Sequence, residues 1–201
     1  SYSYQVRAID TSSNLGPVGN VATTTTPAAP SGLVAAYGFE EGSGTTVTDA
    51  SGNGNNGTIA GATWTTAGKF GDALSFNGTS SRVTIPNSSS LQLSSGMTLE
   101  AWVDPTTVSS AWRDVIEKGN DEYFLMGTTD HASAAGGGGI IGGTYGQVFT
   151  SSGLPPSAWS HLAITYDGST VRLYLNGAMV DSVAHTGTLT SSANALTLGS
   201  D

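Results

Sequence analysis

Hydrophobic and polar residues alternate one by one through much of this chain, and the run at 97–104, M-T-L-E-A-W-V-D, shows it most clearly. Met97, Leu99, Ala101 and Val103 fall on one side, and Thr98, Glu100, Trp102 and Asp104 on the other. A period of two is that of a β-strand with one face in a core. The second face is unusual, because an indole sits between two carboxylates. A central strand with such a face is either a binding surface or the inside of a second sheet. The expectation here is a packed Trp102 flanked by hydrogen-bonded carboxylates.

The same reading predicts strands over 33–39, 45–48, 73–76, 82–85, 112–117, 122–126, 139–142, 159–167, 170–175, 178–184 and 195–199. Asn-Gly at 77–78 and 176–177 and Asp-Gly at 167–168 supply hairpin turns between them. No long stretch repeats with the helical period, so the only helix expected is one turn at Ser88–Leu91. Many short strands joined by such turns predict an all-β antiparallel sandwich, with jelly roll as the leading topology.

Near the N-terminus, Tyr2, Tyr4, Val6 and Ala8 alternate with polar residues, and a turn-rich segment then leads to V-A-T-T-T-T at 21–26. This is a hairpin, and a hairpin alone is barely stable. The sequence P-A-A-P-S-G at 27–32 is a stiff linker. It divides residues 1–26 from residues 33–201, which are numerous enough to build their own core. Because the chain opens inside an alternating pattern, we read it as a piece of something longer.

Composition narrows the function. The 28 glycines among 201 residues are about twice the usual share, and charged residues make up only 10%. Ser and Thr fill the difference, giving the neutral, hydroxyl-rich surface expected of an extracellular, secreted or cell-surface protein with polysaccharide neighbours. A net charge of −9 and six basic residues argue against nucleic acid as a partner. No apolar run reaches the length of a membrane span, so no membrane insertion is expected. Cysteine is absent, which excludes a disulfide scaffold.

Three places offer chemistry. D-A-S-G-N-G-N-N-G-T at 49–58 presents Asp49, Asn53 and Asn56 among glycines. Closely spaced oxygens of this kind suit a hard cation such as Ca²⁺, and suit a hydrogen-bonded Asx turn equally well. Glu100 and Asp104 could suggest the paired acids of a glycosidase, but Trp102 takes the middle position where the pattern needs an acid, and Asp104 precedes Pro105 at the strand end. A truncated glycoside hydrolase is therefore not expected. In the loop-rich middle, Trp112, Tyr123, His131 and Tyr145 can stack on a sugar ring. Arg113, Asp114, Glu117 and Lys118 can bond its hydroxyls. The small-residue run at 132–143 flattens a strand or opens a groove.

Larger runs carry resemblances. Y-S-Y-Q-V-R-A-I-D-T-S-S-N-L-G-P-V-G-N-V-A-T-T-T-T-P resembles the last two strands of a fibronectin type III domain. A-Y-G-F-E-E-G-S-G-T-T-V-T-D-A-S-G-N-G-N-N-G-T, G-K-F-G-D-A-L-S-F-N-G-T-S-S-R-V-T-I-P, M-T-L-E-A-W-V-D-P and W-S-H-L-A-I-T-Y-D-G-S-T-V-R-L-Y-L-N-G resemble a laminin-G-like domain of the concanavalin A-like lectin/glucanase superfamily. That resemblance implies two packed antiparallel sheets and a structural Ca²⁺ at 49–56. It also implies non-catalytic binding of a polysaccharide or glycoconjugate, or adhesion, within a larger secreted or cell-surface bacterial protein. The alternative it leaves is a structural spacer in a repeating surface assembly. Such domains end on a strand of the form F-x-G-x-I-D-E-V-R-I-Y, whereas this chain stops at L-T-L-G-S-D. Leu33–Phe39 is then expected to lack a ladder partner, which makes strand pairing with neighbouring chains an expectation too.

Overall fold

The computed structural model describes residues 2–4, 22–24 and 32–199. The chain divides into two compact units, residues 1–33 and 34–201. In the first, β1 (Tyr2–Tyr4) pairs antiparallel with β2 (Ala22–Thr24), with Tyr2 opposite Thr24. The rest of the fibronectin-like pattern, and the linker up to residue 31, lie outside the described residues.

The second unit is almost wholly β. Its strands are β3 (Thr46–Val47), β4 (Gly57–Ala60), β5 (Thr63–Thr65), β6 (Ala73–Ser75), β7 (Arg82–Ile85), β8 (Met97–Val103), β9 (Arg113–Lys118) and β10 (Tyr123–Thr128). They continue with β11 (Gly136–Ile141), β12 (Thr144–Phe149), β13 (Ser160–Tyr166), β14 (Thr170–Leu175), β15 (Ala178–Ala184) and β16 (Leu196–Leu198). The expected helical turn is a short 3₁₀ segment, Ser89–Leu91. Eight strands form one sheet in the order β12-β11-β10-β9-β16-β7-β4-β3, and four form another in the order β15-β14-β13-β8. All ladders are antiparallel. β5 and β6 pair separately as a hairpin.

The two sheets pack face to face, each contributing every second side chain. Leu162 and Ile164 of β13 and Leu173 of β14 meet Leu125 of β10, Ile141 of β11 and Val83 of β7 in one fully buried cluster. Burial of each such side chain contributes roughly 1.5–3 kcal/mol. Gly137 of β11 shows how closely the layers approach: a Cβ there would stand 2.7 Å from Ile164 Cδ1.

Four sequence expectations need correction. β8 is an edge strand, with a ladder to β13 only. Its inner face, Met97 and Leu99, is buried as predicted, but Glu100 lies in solvent and Trp102 is 39% exposed. Trp102 is therefore a surface residue, because no second layer covers the polar side of β8 among the described residues. Residues 34–39 form no strand. Val34, Tyr37 and Phe39 pack on the core, while Ala36 bonds the loop at 49–50 through Ala36 N–H to Asp49 Oδ1 (3.0 Å) and Ala50 N–H to Ala36 O (2.8 Å). Its backbone bonds thus go to the loop at 49–50 and not to a strand. Finally, β4, β5 and β12 were not predicted, and β11 begins three residues earlier than expected, within its glycines.

Candidate functional site

Val148 of β12 is fully buried in the core, so Tyr145, Gln147 and Phe149 point away from it, onto the outer face of the eight-stranded sheet. Register carries this face through Gly136 and Gly138 of β11 to Met126 and Phe124 of β10. Phe124 and Met126 face away from the core yet are only 1% and 5% exposed, so taller neighbours stand around them. One of these is Phe149, whose ring leans over β11: a Cβ on Gly136 would come within 2.7 Å of Phe149 Cδ1. The glycine-rich strand is thus a low floor beside an aromatic wall.

His131 completes the wall. Its ring stacks on Phe149 with centroids 4.2 Å apart and planes 25° apart, and Trp112 meets it edge-on at 6.1 Å and 84°. A tight loop presents the imidazole. Thr129 Oγ1 donates to Ala134 O (2.9 Å), His131 N–H donates to Thr129 Oγ1 (3.3 Å), and Ala134 N–H donates to His131 O (2.9 Å). Ala132 and Ser133 both take positive φ, 52° and 63°. Each such conformation costs about 1–3 kcal/mol for an L-residue, a strain found where a side chain must be held in place. Asp130 Oδ1, 3.0 Å from His131 Nδ1, orients the ring from the solvent side.

Polar groups border the wall. Arg113 is half-buried, and its Nη1 donates to Trp112 O at 2.9 Å. Tyr145, at the other end of β12, is 53% exposed, and its hydroxyl donates to Asp121 Oδ2 at 2.8 Å. That bond holds the Tyr145 hydroxyl above its usual pKa, keeping it a neutral donor. Gln147 lies on the same face between Tyr145 and Phe149.

The structure therefore brings Trp112, Arg113 and His131 into one neighbourhood and leaves Tyr145 at the margin. Phe149 joins them although the sequence reading passed over it, because T-Y-G-Q-V-F with its central glycine was not read as a strand. Tyr123 does not belong to the site. It is 2% exposed, its hydroxyl donates to Leu91 O at 2.8 Å inside the core, and burial pushes that hydroxyl well above the usual tyrosine range. Lys118 is likewise fully buried and unavailable to a ligand.

The loop at 49–56 has a different character. Asp49 Oδ1 accepts N–H groups from Ala36 (3.0 Å) and Ser51 (2.9 Å). Its Oδ2 accepts Asn55 N–H (2.9 Å) and the Ser51 hydroxyl (2.8 Å). Asn56 Oδ1 accepts Asp49 N–H (2.9 Å), and Asn53 turns its amide nitrogen toward Val34 O (3.0 Å). Burial would raise the Asp49 pKa, but the bonds from Ser51, Ala36 and Asn55 outweigh it and hold the carboxyl below its ordinary value. Ca²⁺ wants six to eight oxygens facing one point. Here the Asp49 carboxylate and Asn56 Oδ1 accept from N–H and O–H donors, the arrangement of an Asx turn. Ca²⁺ held by Asp49, Asn53 and Asn56 stays a proposal for this loop.

The Laminin_G_3 model of the Concanavalin A-like lectin/glucanases superfamily matches residues 77–201. No curated protein matches the sequence. Among solved structures, the chain is similar to domain 4 of a GH43 extracellular arabinanase from Geobacillus stearothermophilus, in complex with arabinotriose. Identity is 22% and the TM-score 0.59, over 75% of this chain and 76% of that one. It is also similar to a mutant of HCR/D, with 12% identity and a TM-score of 0.60 over 83% of this chain and 43% of that one. A second HCR/D structure, HCR/D-Sa-GBL1/C, gives 12% identity and 0.56 over 80% and 42%. The chain thus spans less than half of the HCR/D chains. Likeness at these identities is likeness of fold.

Proposed function

Since the chain belongs to the Concanavalin A-like lectin/glucanases superfamily, we propose that it is a non-catalytic carbohydrate-binding module of a larger secreted or cell-surface protein. The observation that carries this reading is the His131–Phe149 stack beside Trp112 on the outer face of the eight-stranded sheet. A sugar ring has an apolar C–H face and a polar rim. Here stacked rings form an apolar wall, and Arg113, Asp130, Gln147 and Tyr145 offer donors and acceptors around it. Trp112 and Phe149 supply contact area, and His131 and Asp130 bond hydroxyls. The arabinotriose complex of the similar arabinanase domain supports a glycan as the ligand class. The 1–26 hairpin, as the end of a fibronectin type III domain, fits a module strung among others.

The test is calorimetric titration with arabinotriose, xylohexaose and cellohexaose. We expect one of them to bind, and Trp112→Ala or Phe149→Ala to weaken it at least about tenfold, the size of one lost aromatic contact. Binding that survives both substitutions would sink the assignment.

A second reading has its own observation. Among the described residues, β8 pairs on one side only and 34–39 joins no ladder. An open edge accepts another strand, which supports a spacer assembled with neighbouring copies. Light scattering decides it: this reading requires concentration-dependent oligomers that disappear when Thr98 is replaced by Pro on the edge strand.

A further inference from the structure

We propose that the outer face of the four-stranded sheet carries a second glycan site, built around Phe70 and Trp102, for an extended and uncharged polysaccharide chain. The proposal rests on the carbohydrate reading above and extends it to the opposite side of the sandwich.

Phe70 is the most exposed large apolar residue described, at 76%. It is not the tip of a loose loop. Lys69 and Phe70 occupy a two-residue reversal closed by Gly68 N–H donating to Gly71 O at 2.9 Å. Glu40 pins this reversal by accepting Asp72 N–H (3.3 Å). Gly71 has φ of 136°, and a Cβ there would stand 2.5 Å from Glu40 Oε1, so only glycine fits both the bend and the space. The turn delivers the Phe70 ring edge-on to the Trp102 indole at 5.6 Å, with planes 88° apart, forming an aromatic corner. His161, opposite Trp102 on β13, backs the indole at 5.2 Å, and the Lys69 ammonium lies 4.7 Å from its centroid. Both rings are thus held in place before any ligand arrives.

The register extends the corner across the sheet. Glu100 aligns with Ala163 and Tyr174, and Thr98 with Thr165 and Arg172, all on the side of Trp102. Aromatic rings therefore alternate with hydroxyl, carboxylate and guanidinium groups along the ladder. Acids predominate around it, with Glu100 and Asp104 on the side of Trp102 and Glu40 and Asp72 at the Phe70 turn, while Arg172 Nη1 already bonds Asp167 Oδ2 at 2.6 Å. A continuous apolar protein partner would leave these polar groups unpaired, and an acidic chain would be repelled. A neutral glycan stacks on the rings and bonds the groups between them. With the site on the other sheet, the module becomes bivalent and can bridge two polysaccharide chains.

Nitrogen-15 NMR titration with arabinotriose, xylohexaose and cellohexaose tests this, following the indole N–H signals of Trp112 and Trp102, each assigned from its Trp→Phe variant. The expected result is that a sugar shifting the Trp112 signal also shifts that of Trp102. Phe70→Ala should weaken the Trp102 response roughly tenfold and leave the Trp112 response unchanged. A Trp112 response with a silent Trp102 overturns the second site and leaves the first standing. Silence at both positions with all of these sugars overturns both. Bivalency gives a second readout: the wild-type chain should precipitate the soluble polymer of whichever of these sugars binds, while Phe70→Ala and Trp112→Ala should each keep it in solution. Precipitation undiminished by Phe70→Ala counts against the second site.

Discussion

Lys118 and Glu122 form an ion pair at 3.3 Å with both side chains withdrawn from solvent. Lys118 is fully buried in the sandwich. Its ammonium also donates to Ser192 O (3.2 Å) and Asn194 O (2.7 Å), while Glu122 accepts Ser192 N–H (3.1 Å) and the Ser192 hydroxyl. The pair ties the β9–β10 turn to the segment leading into β16, the middle of the eight-stranded sheet. Removing one partner strands a charge in the interior. Lys118→Ala should therefore cost about 3–5 kcal/mol. Lys118→Met combined with Glu122→Gln should cost less than the two changes summed, which a double-mutant cycle of urea denaturations measures.

Asp49 predicts a pH dependence. Its folded pKa lies below the unfolded value of about 3.9, so its contribution is fully present above that pH and disappears as pH falls further, through the folded value. Asp49→Ala should lower stability by about 3 kcal/mol at neutral pH, since several N–H donors lose their acceptor. The variant should also lose less than the wild type on acidification below about pH 4. Thermal melts in excess Ca²⁺ and in chelator test the ion proposed for this loop: a rise that Asp49→Ala abolishes supports it, and matching melts reject it.

Ser160 has a buried hydroxyl oxygen without a hydrogen-bond partner, on a fully enclosed residue of β13 opposite Val103. A polar group desolvated without compensation opposes folding. Ser160→Ala should leave stability unchanged or raise it by up to about 1 kcal/mol, as read by the denaturation midpoint. A clear loss would mean that the hydroxyl has a partner in solution.

Glu100 predicts an absence of chemistry. Its side chain is 64% exposed on an edge strand, with His161 Nε2 3.8 Å away. Laminarin, agar and xylan should release no reducing ends. Hydrolysis that disappears in Glu100→Gln would reverse the non-catalytic reading.

Much of the fold could be read from the alternation itself, because a strand half in a core must show it. Met97–Val103, Ser160–Tyr166 and Thr170–Leu175 were placed within a residue or two. The reading failed where backbone does the work of side chains: Gly136–Gly139 have no pattern to alternate, Gly57 opens β4 and Gly146 interrupts β12. It also failed at Trp102, since alternation says which residues share a face but not whether another layer lies over it. Trp112, Arg113 and His131 were found as isolated stacking or bonding types. Phe149 and Phe70 were not, because their roles come from a loop at 129–134 and a turn at 68–71 that fold back from elsewhere in the chain.

The floor of β11 also has an evolutionary consequence. A Cβ at Gly137 would stand 2.7 Å from Ile164 Cδ1 and 3.0 Å from Phe124 O, so mutation there disturbs the packing of the two sheets before it can alter what is bound. Descendants of this module would keep the floor and diversify its border. Libraries aimed at new sugars should follow the same division, randomising Trp112, Arg113, His131 and Gln147 over an untouched strand of glycines.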